Sequence, residues 1–277
     1  MSDTLEVSDT VSPVELTVVG SINLDLVARV EALPRAGETV SGRDFVRVPG
    51  GKGANQAVAA AKLGARVRMI GAVGDDPLAD EALAGLLAAG VELELTRTGT
   101  TGIALILVDD AGENQIVVVP GANAEVPPVS PHGAVLCQLE VPDAVVEAAA
   151  RNATFFALNA APARPTNLVP DLLIVNQLEH EIVSKGTLVA VTYGAEGAAL
   201  FEGGREVARA VPPPVDAIDG TAAGDAFAAC LVVSLLEGRE RGEALTRACA
   251  AGALAASRFG AQPSAPAADE VAAILAA

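Results

Sequence analysis

The chain has 277 residues, of which 51% are hydrophobic and 19% charged, so it can bury a substantial core and is neither disordered nor a small disulfide-held fold. Asp and Glu outnumber Lys and Arg by 35 to 18, no segment concentrates Lys and Arg, and aromatic residues make up only 3%, which excludes nucleic acid as an expected partner. No apolar stretch approaches the roughly 18 residues that span a bilayer and no export leader opens the chain, so we expect no membrane association and a cytoplasmic location.

The beginning of the chain separates a polar segment from the first predicted strand. Residues 1–14 are acidic and lack periodicity, which predicts a flexible tail, followed by a single domain over 15–277. Glu15–Val19 is a short, largely β-branched run that predicts a buried strand with Ser21, Asn23 and Asp25 at its carboxyl end. Open α/β sheets bind their ligands at that end of their strands.

Two segments show hairpin patterns and not helical ones. Alternating apolar residues within 102–119 are interrupted by the turn residues 109–112, and residues 40–48 also read as a strand. We therefore expect a small antiparallel β lid, built from about 26–48 and 97–120 and set apart from the main sheet.

The rest of the chain alternates between helical and strand patterns. Helical periodicity covers residues 54–63 and 77–89, each followed by a terminating Gly. The predicted later strands are residues 66–71, 134–139, 153–158, 172–175 and 188–192. This alternation predicts an α/β fold, a three-layer sandwich with a mostly parallel central sheet and helices on both faces. Only about a dozen residues lie between the last two strands, so either their connecting helix is very short or the strand order departs from this scheme.

Residues 219–225 (DGTAAGD) form the strongest candidate site, because small residues precede a helical apolar run. At such a helix start, several backbone N–H groups and the helix dipole can converge on one anion. A carboxylate at Asp225 would repel that anion unless it accepts the proton of an attacking hydroxyl. The alternative is that Asp225 only caps the helix.

The second candidate is the glycine-rich loop at residues 49–55 (PGGKGAN). It is not a Walker A loop, because Val46 and Gly53 stand where that motif requires Gly and Ser or Thr. With Asn23 and Asp25 nearby, Lys52 and Asn55 supply the donors and acceptors that a sugar with several hydroxyls needs. The alternative is a flexible connector with a surface lysine.

A third group of polar residues follows later predicted strands. It consists of Glu140, of Asn176 and Glu179, and of Thr192, Gly194, Glu196 and Gly197. Carboxylate and amide oxygens in such places can hold Mg²⁺ through water. Each residue alone could equally be an ordinary surface or capping residue.

Together these motifs resemble the PfkB family of carbohydrate kinases over about residues 17–270. The run at 50–57 (GGKGANQA) is similar to the N-terminal signature of the family, in the form that its ribose-phosphorylating members have. Residues 219–225 are similar to the C-terminal signature. The resemblance implies ATP-dependent phosphorylation of D-ribose at its 5-hydroxyl to give D-ribose 5-phosphate. It implies Asp225 as the general base, with an anion hole made by the amides of Ala222, Ala223, Gly224 and Asp225.

The resemblance also implies a set of binding residues. Sugar contacts would come from Asn23, Asp25, Gly50, Gly51, Lys52, Asn55, Glu140 and Asp225. Nucleotide contacts would come from Asn176, Thr192, Gly194, Glu196, Gly197 and Gly224. Glu179 would hold Mg²⁺ through water, and an activating K⁺ would lie among Asp219, Thr221, Ala255, Arg258, Gly260 and Ser264. The lid would close over the sugar and pair with the lid of a second subunit in a homodimer.

The sequence also departs from the family pattern. Gly220 stands where a Thr is usual, and the segment after Asn176 is shorter than usual beside the expected nucleotide site. Two other functions therefore remain open: a PfkB-type kinase for another sugar or a nucleoside, and a non-catalytic sugar-binding protein on the same fold.

Overall fold

The computed structural model describes residues 13–277, which form two β-sheets flanked by helices. The strands are β1 (Glu15–Val19), β2 (Asn23–Val30), β3 (Gly42–Gly50), β4 (Arg66–Val73), β5 (Glu92–Arg97), β6 (Gly102–Val108), β7 (Asn114–Val119), β8 (Gly133–Gln138), β9 (Ala153–Asn159), β10 (Leu172–Asn176), β11 (Leu188–Thr192), β12 (Ala198–Glu202) and β13 (Arg205–Ala210). The helices are α1 (Lys52–Lys62), α2 (Leu78–Ala88), α3 (Asp143–Ala150), α4 (Gln177–His180), α5 (Ala223–Leu236), α6 (Arg241–Ala256) and α7 (Ala268–Ala276).

The larger sheet has nine strands in the order β13-β12-β11-β10-β9-β8-β1-β4-β5. All pairings from β11 to β5 are parallel, and only β12 and β13 are added in antiparallel direction at one edge. One apolar core lies between this sheet and the layer of α1, α2, α5, α6 and α7, and a second lies on the opposite face with α3. The predicted three-layer α/β sandwich with a mostly parallel sheet is confirmed.

The smaller sheet has four strands in the order β3-β2-β6-β7. The β6–β7 hairpin is confirmed, with Asp109 N donating to the Glu113 carbonyl at 3.0 Å across the turn. The pairing of β2 with β6 is parallel, so the sheet is antiparallel only in its two outer pairs. We expected Asn23 and Asp25 directly after β1, but they belong to β2 and therefore to this smaller sheet. The division of the chain into a lid and a main domain stays a prediction.

The predicted alternation of strands and helices is wrong at the connection between β9 and β10. Residues 160–171, between β9 and β10, contain no helix, and the helix α4 between β10 and β11 has only four residues. Of the two alternatives for the second connection, the very short helix is correct, because β10 and β11 are regular parallel neighbours. Both short connections lie on the sheet face that carries α3, so that face is covered by fewer helices than the other.

The described chain begins just before β1. The predicted tail over 1–14 falls mostly outside the described residues, but Val14 packs against the core and its carbonyl accepts a hydrogen bond from Arg66 N at 2.7 Å. The three cysteines are buried free thiols, and burial raises the pKa of each. Among the described helices, none combines the length and apolar composition that a membrane span requires.

Candidate active site

The glycine-rich loop is held against the start of β2 by close backbone approach. Gly51 precedes α1 with φ +89°, a conformation that favours glycine, and a Cβ on it would lie 2.8 Å from Asn23 N. A Cβ on Gly50 would lie 2.2 Å from Asp25 Oδ2. Both glycines are therefore required by the packing that brings Lys52 next to Asp25, and substitution of either would push the two segments apart.

Asp225 lies at the start of α5 and is 5% exposed. Asn55 Nδ2 donates to its Oδ2 at 2.9 Å, and Gln56 Nε2 donates to its Oδ1 at 2.9 Å. These bonds join two motifs that are 169 or more residues apart in the chain. The glycine-rich loop and residues 219–225 therefore share one cleft, as the sequence motifs require.

Glu140 follows β8 and anchors the beginning of α1. One of its carboxylate oxygens, Oε2, accepts hydrogen bonds from Ser21 Oγ at 2.5 Å and from Lys52 N at 3.0 Å. The carboxylate thus interacts with the N-terminal amide of a helix, where the dipole favours negative charge. Its position links the end of β8 to the turn between β1 and β2.

Burial and neighbouring charged groups shift the pKa values of Asp25 and Lys52 in the cleft. Burial, with Glu140 and Asp225 nearby, raises the pKa of Asp25 to about 7, and Lys52 only partly opposes this. Burial lowers the pKa of Lys52, but the surrounding carboxylates of Asp225, Glu140, Glu179 and Asp25 outweigh it and raise the pKa. Lys52 therefore stays cationic among acidic groups.

The pKa of Asp225 is raised, and burial is the main cause. The Lys52 ammonium and the amide donors of Asn55 and Gln56 oppose that effect, since each favours the charged carboxylate. A carboxylate with a raised pKa is a better proton acceptor than an ordinary surface aspartate.

Other polar atoms face the same cleft. Asn123 Nδ2 donates to Asn23 Oδ1 at 2.7 Å, which fixes the orientation of the Asn23 amide. Ser21, Asn23 and Glu140 line a cavity of about 440 Å³. Within the described residues, the buried Asn55 Oδ1 has no hydrogen-bond donor. Asn55 is not among the residues that line this cavity, but a buried acceptor without a partner is suited to a hydroxyl group of a ligand.

The predicted anion hole is only partly available. Ala222 precedes α5, and the N–H of Ala223 donates to the Gly220 carbonyl at 3.2 Å within the turn. The amides of Ala222, Gly224 and Asp225 make no hydrogen bond to any described residue. Three of the four predicted amides are therefore free to bind an anion, and Ala223 would have to release its turn contact first.

Two of the predicted nucleotide residues lie side by side at the ends of β10 and β11. Asn176 and Thr192 are register partners there. Asn176 Oδ1 accepts from Glu179 N at 2.8 Å, and Glu179 Oε2 accepts from Asn176 N at 2.8 Å, a reciprocal capping box. Both side chains thus have the capping role that the sequence left open, although Glu179 also lies near enough to raise the pKa of Lys52.

The turn after β11 carries three more of the predicted nucleotide residues, and the sixth, Gly224, lies in the first turn of α5. Gly194 and Glu196 are exposed, and Gly194 has φ +61°. Gly197 has φ +95°, and a Cβ on it would lie 2.0 Å from the Ala210 carbonyl oxygen. The packing of this turn against β13 is therefore enough to explain Gly197.

The predicted cation loops contact each other through Asp219. Its carboxylate accepts hydrogen bonds from Thr221 N at 3.0 Å, from the Thr221 hydroxyl and from Gly260 N at 3.0 Å. These donors hold the pKa of Asp219 below its usual value although its partial burial acts in the opposite direction. The structure therefore brings Asp219, Thr221 and Gly260 together.

The other members of the predicted cation set are engaged elsewhere. The Arg258 guanidinium pairs with Glu270 at 2.5 Å, so only the backbone of Arg258 could face a cation. Ser264 Oγ donates to the Ala261 carbonyl at 2.8 Å, and the Ala255 carbonyl accepts from Arg258 N at 3.1 Å. Among residues 13–277, no hydrogen bond or ion pair joins the side chains of Arg258 and Ser264 to Asp219.

Several residues of the site were not selected from the sequence. They are buried polar side chains, namely Gln56, Asn123, Gln138 and Asn159. Gln138 and Asn159 are the last residues of β8 and β9, so the same signal that selected Asn176 could have found them. Nothing in the sequence around Asn123, which lies in a 3₁₀ turn before β8, indicates its contact with Asn23.

Comparison with known proteins identifies the family. The profile of the pfkB family of carbohydrate kinases matches residues 14–148 and 173–268, which is most of the chain. The chain belongs to this family. The unmatched stretch, 149–172, contains β9 and the connection without a helix. The family match thus includes both signature loops and excludes one of the two shortened connections.

Individual members of the pfkB family are similar over nearly the full chain. Ribokinase from Bacillus subtilis is 38% identical over 291 aligned residues, which cover 92% of this chain and 97% of the relative. The crystal structure of ribokinase from Thermotoga maritima superimposes with a TM-score of 0.84 at 31% identity, covering 95% of this chain and all of the other. Arabidopsis thaliana ribokinase complexed with ribose and ATP gives 0.82 at 28% identity, covering 95% and 99%.

Proposed function

We propose that this protein is an ATP-dependent sugar kinase that phosphorylates D-ribose at the 5-hydroxyl to give D-ribose 5-phosphate. The single observation that carries the proposal is the buried Asp225 carboxylate. It lies at the start of α5, where free amides can bind an anion, and it is bonded to Asn55 of the glycine-rich loop at 2.9 Å. The similarity to ribokinases over most of the chain supports ribose as the sugar.

The proposed sugar site consists of the polar groups around that carboxylate. Asn23, Asp25, Lys52, Asn55 and Glu140 offer both donors and acceptors for the hydroxyl groups of a pentose, with Gly50 and Gly51 allowing close approach of the backbone. The unpaired Asn55 Oδ1 supports this assignment. A sugar bound here would place one primary hydroxyl next to Asp225.

The proposed chemistry combines proton acceptance with charge stabilisation. Asp225 accepts the proton of the 5-hydroxyl while the oxygen of that hydroxyl attacks the γ-phosphorus of ATP. The bond between the γ-phosphorus and the β–γ bridging oxygen breaks, and ADP leaves with that oxygen. The amides of Ala222, Gly224 and Asp225, with the dipole of α5, stabilise the negative charge of the transferring group. Lys52 stabilises the ionised form of Asp225 until the sugar arrives.

Mg²⁺ is the divalent ion that we expect to accompany ATP, where it neutralises phosphate charge. In the described part of the chain, no three His, Cys, Asp or Glu side chains form a metal cluster. An ion that keeps its phosphate and water ligands needs only one or two protein carboxylates. Glu179 fits that limited role through its second oxygen, because Oε2 is used by the capping box. Asn176, Thr192, Gly194, Glu196 and Gly197 would contact the nucleotide beside it.

K⁺ activation is also part of the proposal. The oxygens of Asp219 and Thr221 and the carbonyls of the loop from Ala255 to Ser264 are ligands of the hard type that K⁺ prefers. The Gly260–Asp219 hydrogen bond holds the two loops at contact distance. Asp219 and Thr221 directly precede α5, so a cation there would steady the free amides of its first turn.

We further propose a cytoplasmic homodimer formed through the lid. The edge strand β7 exposes Ile116, Val117, Val118 and Val119, and unpaired edge strands with apolar side chains favour pairing with another copy. Three buried free thiols fit a reducing compartment. Sedimentation of the wild type and of Val117→Lys tests the dimer, and a monomeric wild type would contradict it.

The decisive experiment is an ADP-release assay with a panel of acceptors. D-ribose, 2-deoxyribose, fructose and adenosine are compared with Mg²⁺ present, each with and without K⁺. We expect ribose to give the highest kcat/KM and K⁺ to increase it. A higher kcat/KM with another sugar or a nucleoside would show that this acceptor, and not ribose, is the substrate. Ribose binding measured by calorimetry without any ATP turnover would favour the non-catalytic alternative.

A further inference from the structure

A chain of buried amide side chains leads from the central sheet to Asp225. Gln56 and Gln138 are completely buried, Asn159 is 8% exposed, and none of them was among the sugar or nucleotide residues. Gln138 and Asn159 are register partners at the carboxyl ends of β8 and β9, and Gln56 lies in α1. Burying three amides in a core is unfavourable unless their hydrogen bonds are satisfied, so their arrangement requires an explanation.

The hydrogen bonds fix the Gln56 amide in one orientation. Its Nε2 donates to both Asp225 Oδ1 and Asn159 Oδ1 at 2.9 Å, while its Oε1 accepts from Gln138 Nε2 at 2.6 Å. Asn159 Nδ2 donates to the Ile174 carbonyl at 3.2 Å, so Asn159 must present its oxygen to Gln56. A flipped Gln56 amide would place oxygen against the two acceptors and would lose all three bonds.

We propose that Gln56, held by Gln138 and Asn159, is a positioning residue that orients the Asp225 carboxylate and keeps it ionised for proton acceptance. The inference rests on the proposed function of Asp225 as the base. Because Gln56 donates to Oδ1 and Asn55 donates to Oδ2, the plane of the carboxylate is fixed. Other charged groups that face Asp225 are Lys52 from α1, Asp25 from β2 and Glu140 after β8.

The direction of the pH effect follows from the donors. Burial and the nearby carboxylates of Asp25 and Glu140 favour the protonated form of Asp225, whereas Lys52, Asn55 and Gln56 favour the ionised form. Removing the Gln56 donor therefore raises the pKa of Asp225 further. The acid limb of the kcat–pH profile should move to higher pH, an effect that a merely structural glutamine would not produce.

The test compares Gln56→Met and Gln56→Glu with the wild type. Gln56→Met keeps the length of the side chain but removes the donor, and Gln56→Glu places a second acid against Asp225. We expect kcat to fall by about 10- to 100-fold in both, with the acid limb shifted upward and the KM for ribose within about threefold. Wild-type kcat and an unchanged pH profile in folded variants would overturn the proposal.

Asn159→Ala provides a second variant in case substitution of Gln56 prevents folding. It leaves the Gln56–Asp225 bond possible but removes the acceptor that restrains Gln56, so we expect a smaller loss of kcat, about 3- to 10-fold. The surface change Asn152→Asp is the control, because Asn152 is exposed and lies outside the network. Loss of kcat equal to that of the control would contradict the restraint by Asn159.

A readout without catalysis separates this proposal from the proposed function. The melting temperatures of Gln56→Met, Asp225→Asn and the double variant form a cycle that measures the coupling of the two side chains. We expect Gln56→Met to lower the melting temperature less in the Asp225→Asn background than in the wild type. Additive changes in melting temperature would show that Gln56 and Asp225 do not interact, whether or not the protein phosphorylates ribose. Coupling between the two substitutions in a protein without turnover would support the interaction and refute only the kinase function.

Discussion

The two ends of the proposed cleft are constructed differently. At the sugar end, Asp25 and Asp225 are buried, and their positions are set by β2, α1 and α5 and by strand ends of the large sheet. At the nucleotide end, the carboxylate of Glu179 caps its own four-residue helix and is partly exposed. Tight, buried contacts at the first end favour precise placement of a small sugar, while the second end offers a shallow surface for a phosphate chain and its metal ion.

The largest expected effect comes from Asp225→Asn. The variant keeps the shape of the side chain but cannot accept the hydroxyl proton, so kcat should fall by about 10²- to 10⁴-fold while ribose still binds. Steady-state kinetics and calorimetry measure the two quantities. Asp216→Asn, an exposed change in the segment before α5, is the control. Turnover of Asp225→Asn close to that of the wild type would show that Asp225 is not the general base.

A second test uses the raised pKa of Asp25, about 7 in the folded protein compared with 3.8 for the ordinary group. Between these values the folded state binds more protons than the unfolded chain, so stability falls as pH rises from about 4 to 7. Asp25→Asn lacks this penalty, and without ligand it should be more stable than wild type at pH 8, by at most about 4 kcal/mol. The difference should shrink towards pH 4.

Thermal unfolding across that pH range measures the effect of Asp25→Asn. Asp44→Asn, on the exposed part of β3, is the matched change in the same sheet. A stability difference between Asp25→Asn and wild type that is the same at pH 4 and pH 8 would show that burial and the neighbouring carboxylates do not raise the pKa of Asp25.

An intermediate effect is expected from Arg164→Ala, in the connection that lacks a helix. The guanidinium of Arg164 donates to the carbonyls of Leu139 and Val141, the two residues that flank Glu140, and pairs with Asp143 at 2.6 Å. Its loss should loosen Glu140 and raise the KM for ribose by about 10-fold, with the KM for ATP unchanged. Arg151→Ala is the control, and an equal rise of both KM values would place the effect elsewhere.

The smallest effect is expected at the nucleotide end. Glu179→Gln can still accept the Asn176 N–H, so the capping box survives and only the charge is lost. We expect stability to change by less than about 1 kcal/mol and the KM for ATP to rise only a few-fold. Initial rates at varied ATP and Mg²⁺ measure this. If Glu179→Gln lost as much kcat as Asp225→Asn, the nucleotide end would be as important for catalysis as the sugar end, which would contradict the difference proposed between them.

Local patterns were enough to predict most of the large sheet and both loops of the site. Apolar runs ended by glycine gave the helices α1 and α2, and the two signature motifs selected Asp225, Lys52 and Asn55. The helix expected between β9 and β10 was wrong, because alternation is a rule about typical connections and the loop 160–171 is instead fixed by long-range contacts such as those of Arg164. The local sequence was enough to predict that Asn176 could cap a helix, but it could not distinguish that role from ligand binding.

The sequence by itself determined the fold class, the family and the motif that carries the proposed base, because these depend on short-range periodicity and on contiguous residues. Only the tertiary structure decided that Asn23 and Asp25 lie on a strand of the smaller sheet, and that Gln56, bonded to Gln138 and Asn159, donates to Asp225. Those relations join residues up to 169 positions apart. They arise from the packing of strand ends against α1 and α5, and no local pattern in a single sequence encodes which buried polar side chains will meet.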